Sequence, residues 1–329
     1  MRAEDFHGLY AIIPAPARPG ADEWSATDTV DTDETSRLIE NLIGDGAQGI
    51  VALGTTGECA TLSGADFETL VTCVVDTVSG RVPTFIGATA LGTHEVVRRL
   101  RFVQSRGATG SLLGLPMWQP LTTPMAIRYY RDIAEAFPDL DIMAYANSRA
   151  FRYDFPLEFW AAVADVAPNV VSAKASSSAG LAQLLEATHG AIKFLGNELM
   201  TEEFYAVSPD AAQACWATSA SMGPAPALAI LRAAANHDVA SISRLGADIA
   251  RAHEPLLGVL SDPAAFASYN IQLEKIRMEA AGYCVPGPIR PPYAEVPADV
   301  DEAARECGRR WRELCMRIIA QPTGAGRTA

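Results

Sequence analysis

Short apolar, β-rich runs alternate with longer stretches of helical periodicity through the first two thirds of the chain. Eight such runs predict strands: GLYAIIP (8–14), GIVALG (49–54), VPTFIGA (82–88), TGSLLGLP (109–116), DIMAYAN (141–147), NVVSAKA (169–175), AIKFLGN (191–197) and AQACWATSA (212–220). Between them, stretches such as DETSRLIENLIGDGA and HEVVRRLRFVQSRGA place apolar residues at i, i+3, i+4 and i+7, the spacing of one helical face. Strands buried on both faces, each followed by a helix, predict a parallel (β/α)8 TIM barrel with right-handed crossovers. A doubly wound open sheet is the competing arrangement. From residue 239 the strands cease, and helical patterns over 239–259, 264–281 and 298–318 predict a C-terminal helical extension. The chain therefore divides into a barrel over 1–238, a helical region over 239–318 and a disordered tail over 319–329. The polar segment ARPGADEWSATDTV (17–30) predicts a long loop after the first strand, on the active face of a barrel.

Composition narrows the function. With 329 residues the chain can bury a large core. Its net charge of −13 argues against nucleic acid or an anionic membrane surface as partner, because both require basic patches. The start, MRAEDFHGLY, lacks a basic segment followed by an apolar core, and no apolar run approaches the roughly 18 residues of a membrane span, so a cytoplasmic location is expected. The six cysteines form no CxxC pair and the five histidines no HExxH cluster, so no metal site is expected.

Against 23 arginines the chain has three lysines, and one of them, Lys174, lies in the apolar run NVVSAKA. A barrel presents its chemistry at the carboxyl ends of its strands, and Lys174 is near such an end. Lys193 comes early in AIKFLGN and faces the opposite, stability end; Lys275 lies in the helical extension. Among Val, Ala and Ser the ammonium form is disfavoured, which leaves free amine to attack a carbonyl. A lysine that snorkels out of the strand end or pairs with a carboxylate is the plainer alternative. Tyr145, near the end of DIMAYAN, is placed to move protons while a carbinolamine forms and collapses, unless it is a core tyrosine with a satisfied hydroxyl. In LGTTGECATLS (53–63), Gly54 and Gly57 permit a tight turn around Thr55 and Thr56, whose amides and hydroxyls can converge on a carboxylate. A carboxylate clamp, a tyrosine and an imine-forming lysine on three strands describe a site for a 2-oxo acid.

The ordered set GTTGE (54–58), Tyr145 and Lys174, together with YNIQ (269–272) and IRPPY (289–293), resembles the N-acetylneuraminate lyase and dihydrodipicolinate synthase superfamily of pyruvate-handling class I aldolases. Within it, AIIPAPA, the loop ending TDTVDTDE, GECATLS, PMWQPLT and YANSRAFRYDF are similar to hydratase-aldolases of polycyclic aromatic degradation. The likeness spans residues 6–318. It implies cleavage of an arylidene-pyruvate, such as trans-o-hydroxy- or trans-o-carboxybenzylidenepyruvate, to pyruvate and an aromatic aldehyde. It further implies a covalent imine on Lys174 without other cofactor, Tyr145 as proton shuttle, and a homotetramer. Substrate contacts are expected from Thr55, Thr56, Gly57, Asn147, Glu198, Thr218 and Asn270. Trp118, Phe151 and Trp216 point to a flat apolar pocket for the ring, although each also fits ordinary core packing.

Two departures from the synthases stand out. Their tyrosine pair after the fourth strand is replaced by PMWQP, with Met117 and Trp118. Their arginine five residues after the tyrosine falls on Ala150, with Arg149 and Arg152 close by. Alternative functions are a dihydrodipicolinate synthase-like condensation, a sugar-acid lyase, which would want more hydroxyl partners than these, and a catalytically silent 2-oxo acid sensor.

Overall fold

The computed structural model describes residues 1–320. Eight parallel strands close on themselves in sequence order: β1 (Gly8–Ile12), β2 (Gly49–Ala52), β3 (Thr84–Ile86), β4 (Gly110–Leu113), β5 (Asp141–Tyr145), β6 (Val170–Lys174), β7 (Lys193–Asn197) and β8 (Ala214–Ala217). Pairing of β1 with β8, Leu9 opposite Cys215 and Tyr10 opposite Trp216, completes the barrel and rules out the open sheet. All eight expected strands occur, each shorter than its apolar run, because the run extends into the flanking turn at one or both ends.

Helices cover the barrel and are capped by local chemistry. Asp31 accepts from the Glu34 amide and Ser63 from the Asp66 amide, each satisfying an otherwise orphaned donor in the first turn. Inside the barrel, Phe6, Tyr10 and Phe85 pack with ring centroids 5.2–6.2 Å apart. Gly49 is required opposite Tyr10, since a Cβ there would lie 2.4 Å from the Tyr10 ring.

The C-terminal region is helical, as expected, with two changes of boundary. The expected helix over 239–259 ends at His253 and continues as a 3-10 turn, Glu254–Leu256, and a short helix, Leu257–Leu260. Pro255 explains the break, since it has no amide to continue the ladder. The last helix, Ala298–Ala320, runs two residues past the expected end, so residues 319 and 320 are helical; the rest of the expected tail lies outside the described residues. Helix Pro263–Ala281 is buried without interruption from Ile271 to Met278. It is covered on one side by the barrel mouth and on the other by Ala298–Ala320, which approaches so closely that a Cβ on Gly308 would lie 2.2 Å from the Arg277 carbonyl oxygen. Trp311 pins that last helix to the barrel by donating from Nε1 to the Gly223 carbonyl at 3.0 Å. Among the described residues, no helix is long and apolar enough to cross a membrane.

The loop over 17–30 closes on itself through an antiparallel bridge between Ala17 and Val30. The Arg290 guanidinium donates to the carbonyls of Ala15, Pro16 and Thr29 and fixes both ends of the loop.

Candidate active site

Lys174 and Tyr145 are the last residues of β6 and β5 and stand opposite each other in the ladder. Both therefore open at the carboxyl end of the barrel, where they line a cavity of about 280 Å³. Lys174 Nζ lies 3.3 Å from the centroid of the Trp216 ring and 5.0 Å from that of Tyr145. Trp216 is held in place by its indole Nε1, which donates to the Ala175 carbonyl at 2.9 Å. Burial pulls the Lys174 pKa down from its usual value to about 7, and the positive charge of Arg149 acts in the same sense. Glu274 and Glu198 oppose the shift. The indole face also favours the ammonium, but by less than desolvation disfavours it. Lys193 begins β7 at the opposite end and donates to the Asp210 carbonyl at 2.6 Å, as its position in the sequence implies.

The Tyr145 hydroxyl accepts from Asn147 Nδ2 at 3.1 Å and pairs with Thr55 Oγ1 at 2.9 Å. Burial raises its pKa, with the two hydrogen bonds acting against the shift. Behind it Phe151 packs edge to face at 5.4 Å and fills the space over Gly114, where a Cβ would lie 2.0 Å from the Phe151 ring. Phe151 thus sets the angle of Tyr145 and does not line the cavity, a correction to its expected place in a ring pocket.

After β2 the chain makes a compact turn in which Leu53 and Glu58 adopt left-handed backbone at φ 60° and 51°. Gly57 closes it, since a Cβ there would lie 2.6 Å from the Leu53 nitrogen. Its role is to shape the turn; the cavity wall is formed by Thr55 and Thr56, not by Gly57 as expected. The turn is anchored from below by Glu58, whose carboxylate accepts from Lys275 Nζ at 3.0 Å, from Arg290 Nη1 at 2.6 Å and from the Arg290 amide at 3.0 Å. All three side chains are buried.

Asn147, Glu198, Trp216, Thr218 and Asn270 also reach the cavity. Trp118 does not: it is 75% exposed, on the loop after β4, where Arg152 holds the backbone carbonyls of Met117 and Trp118. The apolar wall comes instead from Leu199 and from the C-terminal extension, through Leu256, Leu260 and Phe266. Arg149 reaches the mouth and stacks on Phe266, its guanidinium carbon 4.2 Å from the ring centroid. The polar side of the cavity holds Glu198, Glu274 and Arg277. Arg277 forks onto Glu274 and donates to Thr218 Oγ1 at 2.8 Å. Ser219 Oγ donates to Glu198 Oε1, and burial raises the Glu198 pKa from its ordinary value.

Sequence reading overlooked Phe266, Glu274 and Arg277. A signal was present: YNIQLEKIRM carries three charges inside an apolar helical run without a separate polar face, which a surface helix does not do. Among the described residues, no three or more of His, Cys, Asp and Glu gather to hold a metal ion.

The closed barrel, with a lysine amine beside a tyrosine hydroxyl at adjacent strand ends, defines a lyase of the aldolase class. The profile of the Dihydrodipicolinate synthetase family matches residues 21–307, and the chain belongs to that family. It is 41% identical over 321 residues to a trans-O-hydroxybenzylidenepyruvate hydratase-aldolase of Pseudomonas aeruginosa, covering 95% of this chain and 94% of that one. It is 35% identical over 327 residues to a trans-2'-carboxybenzalpyruvate hydratase-aldolase of Nocardioides sp. (strain KP7), covering 97% of each. The solved structure of PhdJ bound to substrate intermediate superposes with a TM-score of 0.93 at 33% identity, covering 97% of this chain and 99% of that one. A dihydrodipicolinate synthase from Thermotoga maritima shares the fold, with a TM-score of 0.79 at 19% identity over 93% of this chain and 98% of that one.

Proposed function

We propose that the protein is a class I hydratase-aldolase that cleaves an arylidene-pyruvate to an aromatic aldehyde and pyruvate. The observation that carries this is the register pair Tyr145 and Lys174 in a cavity whose far wall is apolar. The substrate carboxylate binds at the Thr55–Thr56 turn, and the neutral Lys174 amine attacks the 2-oxo carbon. Tyr145 gives its proton to the oxygen that is expelled, leaving an iminium conjugated with the alkene. No other cofactor takes part. Water adds at the benzylic carbon because the iminium withdraws electrons from it. In the cleavage step the Tyr145 oxygen takes the proton of the new hydroxyl, the bond between C3 and C4 breaks with the iminium as electron sink, and the proton returns to C3 of the pyruvate enamine. Hydrolysis then frees pyruvate and the lysine.

The relatives of matching length support the substrate class, since their names describe hydroxy- and carboxy-substituted arylidene-pyruvates. Leu256, Leu260 and Phe266 favour a ring over the polyhydroxyl chain of a sugar acid. The same reading carries a cytoplasmic homotetramer. Borohydride added in the presence of pyruvate tests the imine: a stable adduct on Lys174 is expected, and its absence would favour a sensor that only binds 2-oxo acids. Loss of the conjugated absorbance across a panel of arylidene-pyruvates tests the substrate class. Activity with sugar acids alone would refute it.

A further inference from the structure

Water addition needs a base near the benzylic carbon, and the cavity contains one carboxylate with a free oxygen. Glu198 follows directly after β7, the neighbour of the lysine strand; Leu195 of β7 stands opposite Lys174. Glu198 is 3% exposed and lines the cavity. Oε1 accepts from Ser219, whereas Oε2 has no hydrogen-bond partner among the described residues. Glu274, the other carboxylate of the cavity, is differently placed, because both its oxygens are engaged by the Arg277 fork. Cys215 and Lys174 complete the titratable groups around Glu198.

In the binding mode proposed above, the barrel also orients the substrate. With its carboxylate on the turn after β2 and its 2-oxo carbon on β6, the remaining alkene and ring extend toward the third wall. That wall consists of Glu198 and Leu199 after β7 and of Leu256, Leu260 and Phe266. Resting on the imine reading above, we propose that Glu198 is the general base of the hydration step. Its carboxylate takes a proton from water as the oxygen bonds to the benzylic carbon and the alkene electrons move toward the iminium nitrogen, giving an enamine. Glu198 then delivers that proton to C3, which restores both the iminium and the carboxylate. Tyr145 remains reserved for imine formation and cleavage. The iminium supplies a fixed positive charge that keeps the buried carboxyl ionised, and a carboxylate with a raised pKa is a stronger base than an exposed one.

Three assays on Glu198→Gln separate the steps: borohydride trapping of pyruvate, loss of the conjugated absorbance of a benzylidenepyruvate, and aldehyde release from the already hydrated 4-aryl-4-hydroxy-2-oxobutanoate. Trapping and aldehyde release should stay within about threefold of the parent, while hydration falls by about 10² to 10⁴. In Glu198→Ala, added formate should restore part of the hydration rate, which a structural role would not permit. Unchanged hydration in the Gln variant overturns the assignment. So does an equal fall in all three assays, or a failure of formate to rescue a variant that still traps pyruvate. Absence of trapping in the parent protein would instead refute the imine reading itself.

Discussion

Lys275 and Glu58 are 217 residues apart in the chain, yet the lysine Nζ lies 3.0 Å from the Glu58 carboxylate with both side chains closed off from water. This contact joins the helical extension to the turn that carries Thr55 and Thr56, and Thr55 in turn holds the Tyr145 hydroxyl. Breaking a buried pair leaves a charge without its partner, a loss of about 3–5 kcal/mol, whereas removing both charges costs less. Lys275→Met should therefore lower stability by about that amount, reduced to the extent that Arg290 still neutralises Glu58. In denaturant unfolding Glu58→Gln should cost more than Lys275→Met, because it leaves both buried cations, Lys275 and Arg290, without their carboxylate. A Glu58→Gln variant as stable as Lys275→Met would mean that the contact is not an electrostatic unit.

Replacing Lys174 with Ala should abolish hydration and cleavage together, because in the proposed mechanism both proceed through the iminium. Water addition that survives in this variant would remove the imine from the mechanism. Lys193→Ala should retain pyruvate trapping, since Lys193 is at the other end of the barrel.

The pH dependence of trapping follows from the lowered pKa of Lys174. With the free amine as the proposed nucleophile and its pKa lowered to about 7, the trapping rate should rise with pH through about 7 and level off above it. Below that point it should fall about tenfold per pH unit. An inflection near the usual lysine value would contradict the desolvated setting of the amine.

Tyr145→Phe keeps the ring packed on Phe151 and removes the hydroxyl shared with Thr55 and Asn147. Turnover should drop by about 10² to 10⁴, with the fold intact. Near-normal turnover would reduce Tyr145 to a packing residue.

Phe266 and Trp118 make opposite predictions. Phe266→Ala should weaken aryl substrates by roughly 1–3 kcal/mol, the scale of one large apolar contact, and leave pyruvate trapping nearly unchanged. Trp118→Ala should change neither by more than about twofold, since surface side chains away from a site contribute little. Aryl-selective loss in Trp118→Ala would mean that its loop closes over the ring.

The sequence by itself determined the eight strands, the strand-end lysine and the tyrosine on the strand before it. Each of these is written in local terms: apolar runs of strand length, helical periodicity between them, and a lysine late rather than early in its run. A strand end in a parallel barrel has one place to be, so Lys174 and Tyr145 were located as soon as their strands were. Only the tertiary structure decided who else stands beside them. Trp118 and Phe151 look alike as aromatic residues after strands, but the first projects from a loop and the second is locked over Gly114. Phe266, Glu274 and Arg277 belong to a helix that begins 89 positions after Lys174, and nothing in their local pattern states which barrel mouth they cover. Packing of that helix against Ala298–Ala320 and the Glu58–Lys275 contact place it there. Local backbone preference and periodicity act over a few residues, whereas a cavity wall depends on long-range contacts that exist only once the chain has closed.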